Sequence, residues 1–73
     1  MKRTPSADKW VRAKRAQARL TQKQLAQETG LTLRDIQRIE HGDLHMSYKK
    51  YLAVALYFNA TMDEMLYGEV EEE

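Results

Sequence analysis

The sequence predicts an all-α fold, a compact five-helix domain with two short helices at its centre. Three observations predict it. Nowhere do apolar and polar residues alternate with period two over the length of a strand. A Thr followed three residues later by Gln, Asp or Glu recurs at Thr21/Gln24, Thr32/Asp35 and Thr61/Glu64, which is the signal of a helix start. Gly30, Gly42 and Asn59 follow periodic stretches, where a left-handed backbone can end a helix at low cost.

Taken in order, residues 1–5 form a loose basic arm and residues 6–68 the folded domain. Ser6 or Thr4 caps a first helix that runs to about Ala18, with Pro5 and Asp8 suited to its first turn and Trp10, Val11 and Ala18 facing inward. The second helix begins at about Gln22 and buries Leu25 and Ala26; Gly30 ends it. Only Gly30, Leu31 and Thr32 separate it from the third, about 33–41, whose apolar stripe is Ile36 and Ile39. Leu33, Arg34, Gln37, Arg38 and His41 point elsewhere, and Gly42 is the stop. After the loop DLHMS, Ser47 opens a fourth helix with Tyr51, Leu52, Val54, Ala55 and Phe58 on its inner face, ending at Asn59. A fifth, short helix passes through Met62, Met65 and Leu66 to about Gly68, and residues 69–73 form a frayed acidic tail.

Length and composition narrow the function. Seventy-three residues make one small domain of modest core, for which a partner subunit is a useful source of stability. The absence of cysteine excludes disulfides and thiolate metal sites, and the two His residues offer no metal-ligand spacing, so no metal or cofactor is expected. No nucleophile and base pair and no phosphate-cradling glycine loop is present, which argues against an enzyme. The longest apolar run, Ala53 to Phe58, is far short of a membrane span, and the N-terminus lacks a hydrophobic signal region; a soluble, cytoplasmic protein is expected.

The formal charge of +1 hides an asymmetry. Residues 1–38 carry ten Lys/Arg against three Asp/Glu, a net of +7, whereas residues 39–73 carry two against eight, a net of −6. Local potential governs association with a polyanion more than net charge does, so the N-terminal half is fit to face phosphates; two ordinary solvated faces would give the same count. A three-residue turn between the second and third helices forces a steep crossing, and that frees the N-terminal half of the third to enter a DNA major groove.

From about Val11 to Leu66 the chain resembles the Cro and phage-repressor helix-turn-helix family, also called the XRE family. The resemblance rests on Arg15, Leu20-Thr21-Gln22, Leu25-Ala26, Gly30-Leu31-Thr32, Ile36, Ile39-Glu40, Gly42, Ser47, Ala55, Phe58 and Asp63-Glu64-Met65. It implies a lambda-repressor-like fold and a small sequence-specific transcriptional regulator of bacterial or phage type, acting as a repressor. The partner it implies is double-stranded DNA carrying a palindromic operator, bound by a homodimer whose recognition helices would lie about 34 Å apart. It further implies a structural ion pair between Arg15 and Glu40. Leu33, Arg34, Gln37 and Arg38 fall on the positions that face base edges. Arg34 can grip guanine O6 and N7, Gln37 can pair with adenine, and Leu33 can pack on a thymine methyl.

Phosphate contacts are implied for Thr21, Gln22, Lys23 and Thr32 around the two helix starts, and for His41, His45, Tyr48 and Lys49 after the recognition helix. Thr21 and Gln24 are also explained as caps alone, and His41 and His45 as exposed loop residues without a task. Lys2, Arg3, Arg12, Lys14 and Arg19 could add backbone contacts or form a solvated face. Tyr57, Met62, Met65, Leu66, Tyr67 and Val70 have two open roles, core and dimer surface.

The chain departs from the family's pattern in four places. Arg19 stands where Gly often ends the first helix, which implies a mildly strained turn. Asp43 sits where a basic or neutral residue is usual and would repel a nearby phosphate. Leu44 and Met46 make an ordinarily polar loop apolar, suited to packing under the fourth helix or to an interface. A protein-interaction module or antitoxin-type partner-binding protein that retained the fold is the alternative, because fold alone does not fix function.

Overall fold

A computed structural model of the chain describes residues 7–43 and 45–68. The expected basic arm at residues 1–5, the candidate cap Ser6, the loop residue Leu44, and the acidic tail with Val70 lie outside the described residues. Five helices follow in order: α1 (Asp8–Gln17), α2 (Gln22–Thr29), α3 (Leu33–Glu40), α4 (Tyr48–Tyr57) and α5 (Met62–Tyr67). The all-α expectation holds, with no strand among the described residues.

Helix starts divide into two kinds. α2 and α3 each carry a complete capping box, while the start of α5 has Thr61 Oγ1 accepting from the Glu64 N–H at 3.1 Å. α1 and α4 begin without a side-chain cap, at Ala7 and Ser47. Burial fixes α1 instead: Ala7, Trp10 and Val11 are all in the core, and the Val11 N–H bonds the Ala7 carbonyl at 2.9 Å.

The ends of α1, α2, α3 and α4 share one device. Arg19, Gly30, Gly42 and Asn59 all have positive φ, and after each the chain folds back so that its N–H groups reach carbonyls of the last turn. The turn after α1 is complete, with Leu20 N–H on the Arg15 carbonyl and Arg19 N–H on that of Ala16. Arg19 therefore does adopt a left-handed conformation, at φ 57, without the relief that Gly would bring. That same reversal leaves Ala18 exposed rather than inward, against the periodic expectation.

The core is drawn from all five helices. Leu25, Ile36, Ile39, Met65, Val11 and Val54 are fully buried. Trp10 meets Phe58 edge to face at 5.8 Å between centroids, which ties α1 to the end of α4, and Lys14 Nζ covers the same indole at 5.5 Å. Met46 and Leu52 are half-buried, Met46 packed against the core, which assigns it the packing role of the two expected. Met65 is core, while Met62 and Leu66 pack partly buried beside it; Tyr57 and Tyr67 stay exposed. Among the described residues no helix is long and apolar enough to cross a membrane.

Candidate nucleic-acid interface

Position and orientation of α3 follow from three sets of contacts. At its start, Thr32 Oγ1 accepts from Asp35 N–H at 3.1 Å, and Thr32 N–H donates to Asp35 Oδ2 at 3.1 Å. The other Asp35 oxygen accepts from Lys50 Nζ at 2.9 Å, so one carboxylate both caps α3 and fastens it to α4. These contacts, the Lys50 hydrogen bond first, hold the Asp35 carboxyl below its ordinary value of 3.8.

Glu40 anchors the other end. Arg15 grips it with both arms of its fork, Nε to Oε2 at 2.8 Å and Nη2 to Oε1 at 3.0 Å, and its third arm donates to the Leu20 carbonyl at 3.0 Å. The expected structural ion pair is thus present, with the Glu40 side chain 4% exposed. Hydrogen bonding to Glu40 raises the Arg15 pKa. Two further residues join that cluster. Gln22 donates to Glu40 Oε1 at 3.1 Å, and Arg12 donates to the Glu40 carbonyl at 2.9 Å, which also supplies positive charge at the C-terminal end of the helix dipole.

Between these anchors Ile36 and Ile39 point into the core, and the opposite edge is open. Leu33, Arg34, Gln37, Arg38 and His41 are all exposed, as the periodicity predicts. Arg34, Gln37, Arg38 and His41 line one groove of about 700 Å³ together with Arg12 and Gln22. Leu33 lies at the start of the same helix, exposed but outside that lining. Arg34 has no hydrogen bond or ion pair to any described residue. Arg38 is different: Asp43 Oδ2 accepts from its Nε at 2.8 Å and lies 2.7 Å from its Nη2.

The remaining expected residues do not line this groove. Thr21 is exposed, and its hydroxyl and N–H are occupied by the capping box with Gln24, at 3.0 and 2.8 Å. Thr32 is committed in the same way. Lys23 is exposed on α2, and Tyr48 and Lys49 are exposed on the first turn of α4. His45 is exposed as well, with its backbone N–H donating to Asp43 Oδ1 at 2.8 Å. Sequence reasoning missed the Gln22–Glu40 and Arg12–Glu40 contacts, which join residues far apart in the chain. The Arg38–Asp43 pair carried a weak signal, an acid three positions beyond the helix end and five from an Arg.

Asp43 therefore faces its own helix. His45 N–H and Arg38 hold its carboxyl below the ordinary 3.8, so it stays ionised at neutral pH. Among the described residues no group of three or more His, Asp or Glu could hold a metal ion.

Comparison with known proteins bears on this geometry. A family model described as Helix-turn-helix matches residues 11–65. No curated protein matches the sequence. The fold is similar to the P22 c2 repressor protein solved in complex with synthetic operator 9T, with a TM-score of 0.77 at 21% identity, over 90% of this chain and 100% of that one. It is similar also to the solution structure of the P22 c2 repressor DNA-binding domain, with a TM-score of 0.71 at 19% identity, over 88% and 84% of the two chains. ComR from Streptococcus suis shares the fold with a TM-score of 0.70 at 23% identity, over 97% of this chain but 24% of ComR.

Proposed function

Because the chain belongs to the helix-turn-helix family whose model spans residues 11–65, we propose that it binds double-stranded DNA sequence-specifically, as a small transcriptional regulator of the repressor type. The observation that carries this reading is the asymmetry of α3. Its inner edge is fixed at both ends by buried carboxylates, and its outer edge presents Leu33, Arg34, Gln37 and Arg38 to solvent. A rigid helix with a polar, partly cationic outer edge suits major-groove readout, where base edges present donors and acceptors at fixed spacing. The similar P22 c2 repressor was solved with operator DNA, which supports the same docking here.

In this reading Arg34 pairs with guanine O6 and N7, Gln37 with adenine N6 and N7, and Leu33 lies against a thymine methyl. Thr21, Gln22, Lys23 and Thr32 face phosphates on one side of the groove, with backbone N–H groups of the helix starts contributing. His41, His45, Tyr48 and Lys49 face the backbone on the other side. Lys49 is the principal cation there, since Lys50 is engaged by Asp35. A homodimer on an inverted repeat would place two such helices one duplex turn apart, and the exposed Leu56, Tyr57 and Tyr67 on the distal helices are its candidate contact surface.

Selection of sites from random duplex DNA at two salt concentrations tests the proposal. An enriched inverted repeat, bound more weakly as salt rises, is the expected result. Failure to retain any duplex at low salt would refute it.

A further inference from the structure

The turn that closes α3 differs from the other left-handed turns of the described chain. After α1, α2 and α4 the residue that follows the left-handed position is Leu20, Leu31 or Ala60, and each packs partly buried against the core. This is the usual apolar seal of such a turn. After α3 that residue is Asp43. Its N–H bonds the Arg38 carbonyl at 3.1 Å, the Gly42 N–H bonds that of Ile39 at 3.1 Å, and Gly42 takes φ 83. In place of an apolar contact with the last turn, the carboxylate meets the Arg38 guanidinium.

That carboxylate is itself held. His45 N–H donates to its Oδ1 at 2.8 Å, and the hydroxyl of buried Tyr51 donates to the Asp43 carbonyl. Backbone, loop and α4 thus fix Asp43 relative to α3. Both contacts to Arg38 fall on one side of the fork, Nε and Nη2 on Oδ2. The end of the fork, Nη1 and the outer hydrogen of Nη2, is left for a ligand, and the side chain is 44% exposed at the rim of the same groove as Arg34 and Gln37.

Resting on the DNA-reading proposal above, we propose that Asp43 is a positioning residue for base recognition. It holds Arg38 by the side of its guanidinium so that the end of the fork reads guanine O6 and N7. A free arginine is a flexible cation that phosphates attract from any sequence; an arginine fixed by a neighbouring carboxylate presents two donors in a set direction at lower ordering cost. The pairing also cancels the charge of Arg38, which lowers its attraction to phosphates in general. Asp43 then raises specificity at the expense of sequence-independent affinity, rather than acting only as a repulsive charge beside the backbone.

The test compares base preference along the wild-type selected site with that of Asp43→Asn, Arg38→Ala and the double variant, each confirmed folded by circular dichroism. Asn keeps an acceptor for the His45 N–H but loses the charge that holds Arg38. The expected result is a loss of at least fivefold in discrimination at one G·C pair, at the same position for both single variants, with no further loss in the double variant. Asp43→Asn should meanwhile bind non-specific duplex more tightly, with the slope of log K against log salt steeper by about 0.9. Unchanged discrimination in Asp43→Asn, or equal weakening at every position, would overturn the inference while leaving DNA binding standing. A wild-type protein that enriches no site would remove the DNA-reading proposal and this inference together. If Asp43→Asn does not fold, Arg38→Lys serves in its place: it keeps the charge, removes the planar fork, and should lose discrimination at the same pair as Arg38→Ala, whereas full retention would contradict the inference.

Discussion

Along α3 the inward edge has every charge answered by another helix, Asp35 by Lys50 and Glu40 by Arg15, whereas the outward edge holds Arg34 and Gln37 without a hydrogen bond to any described residue. The first arrangement stabilises the fold because desolvated carboxylates are acceptable only when paired and hydrogen-bonded. The second contributes little to folding and leaves donors free for a ligand. One short helix therefore separates the residues that hold it from those that act. Mutations on its two edges should accordingly affect different measurements.

The largest expected effect is on the inner edge. Glu40→Ala leaves Arg15 without its partner, and since that guanidinium is only 23% exposed the cost is about 3 kcal/mol, the low end of the range for a broken buried pair. Thermal unfolding should show a much larger fall in Tm than Glu28→Ala, where only a 3.4 Å contact from the Tyr57 hydroxyl is lost. Equal falls would mean that the pair is not an anchor.

On the outer edge, Arg34→Ala should change stability by less than about 0.5 kcal/mol while costing about 1–3 kcal/mol of binding at one base position. Competition binding with single-base variants of the selected site measures this. Lys49→Ala is the contrasting case, expected to weaken all sequences alike and to lower the salt slope by about 1. If both variants behaved the same way, the division between base and phosphate contacts would fail.

Acid should act mainly through the caps and anchors. Asp35 and Asp43 have folded-state pKa values below their ordinary 3.8, so the unfolded chain takes up protons first as pH falls. Their contribution is complete above the carboxylate range and declines as pH drops below about 4 and on through the lower folded values. Denaturant titrations between pH 6 and pH 3 should show this decline, and Asp35→Asn should flatten it. The smallest effect is a gain. Arg19→Gly relieves a left-handed residue outside both edges and should raise stability by about 0.5 kcal/mol, the relief being partly offset by the greater freedom of Gly in the unfolded chain.

Much of this architecture was legible in the sequence where it depends on a residue type at a fixed offset. Thr21/Gln24 and Thr32/Asp35 became capping boxes, and Gly30, Gly42 and Asn59 became left-handed ends. The start of α1 was not legible, because Ala7 is set by burial and not by a cap. Ala18 misled because periodicity was carried one residue past the helix, into a reversal. The Arg15–Glu40 pair came from family resemblance, while Gln22 and Arg12 joined it through packing that no local pattern encodes. Asp43 was readable as a charge near DNA, but its orientation onto Arg38 depends on the turn at Gly42 and on the hydrogen bond from Tyr51, 8 residues away.

The most direct test of the central claim is an NMR titration of the isotope-labelled protein with the selected duplex. The account predicts that the Arg34 and Arg38 Nε–H and Gln37 side-chain amide resonances shift most, with Leu33 methyls beside them, while those of Ile36, Ile39 and Met65 hold nearly still. Shifts centred on α4 and α5, with the outer edge of α3 unmoved, would contradict it.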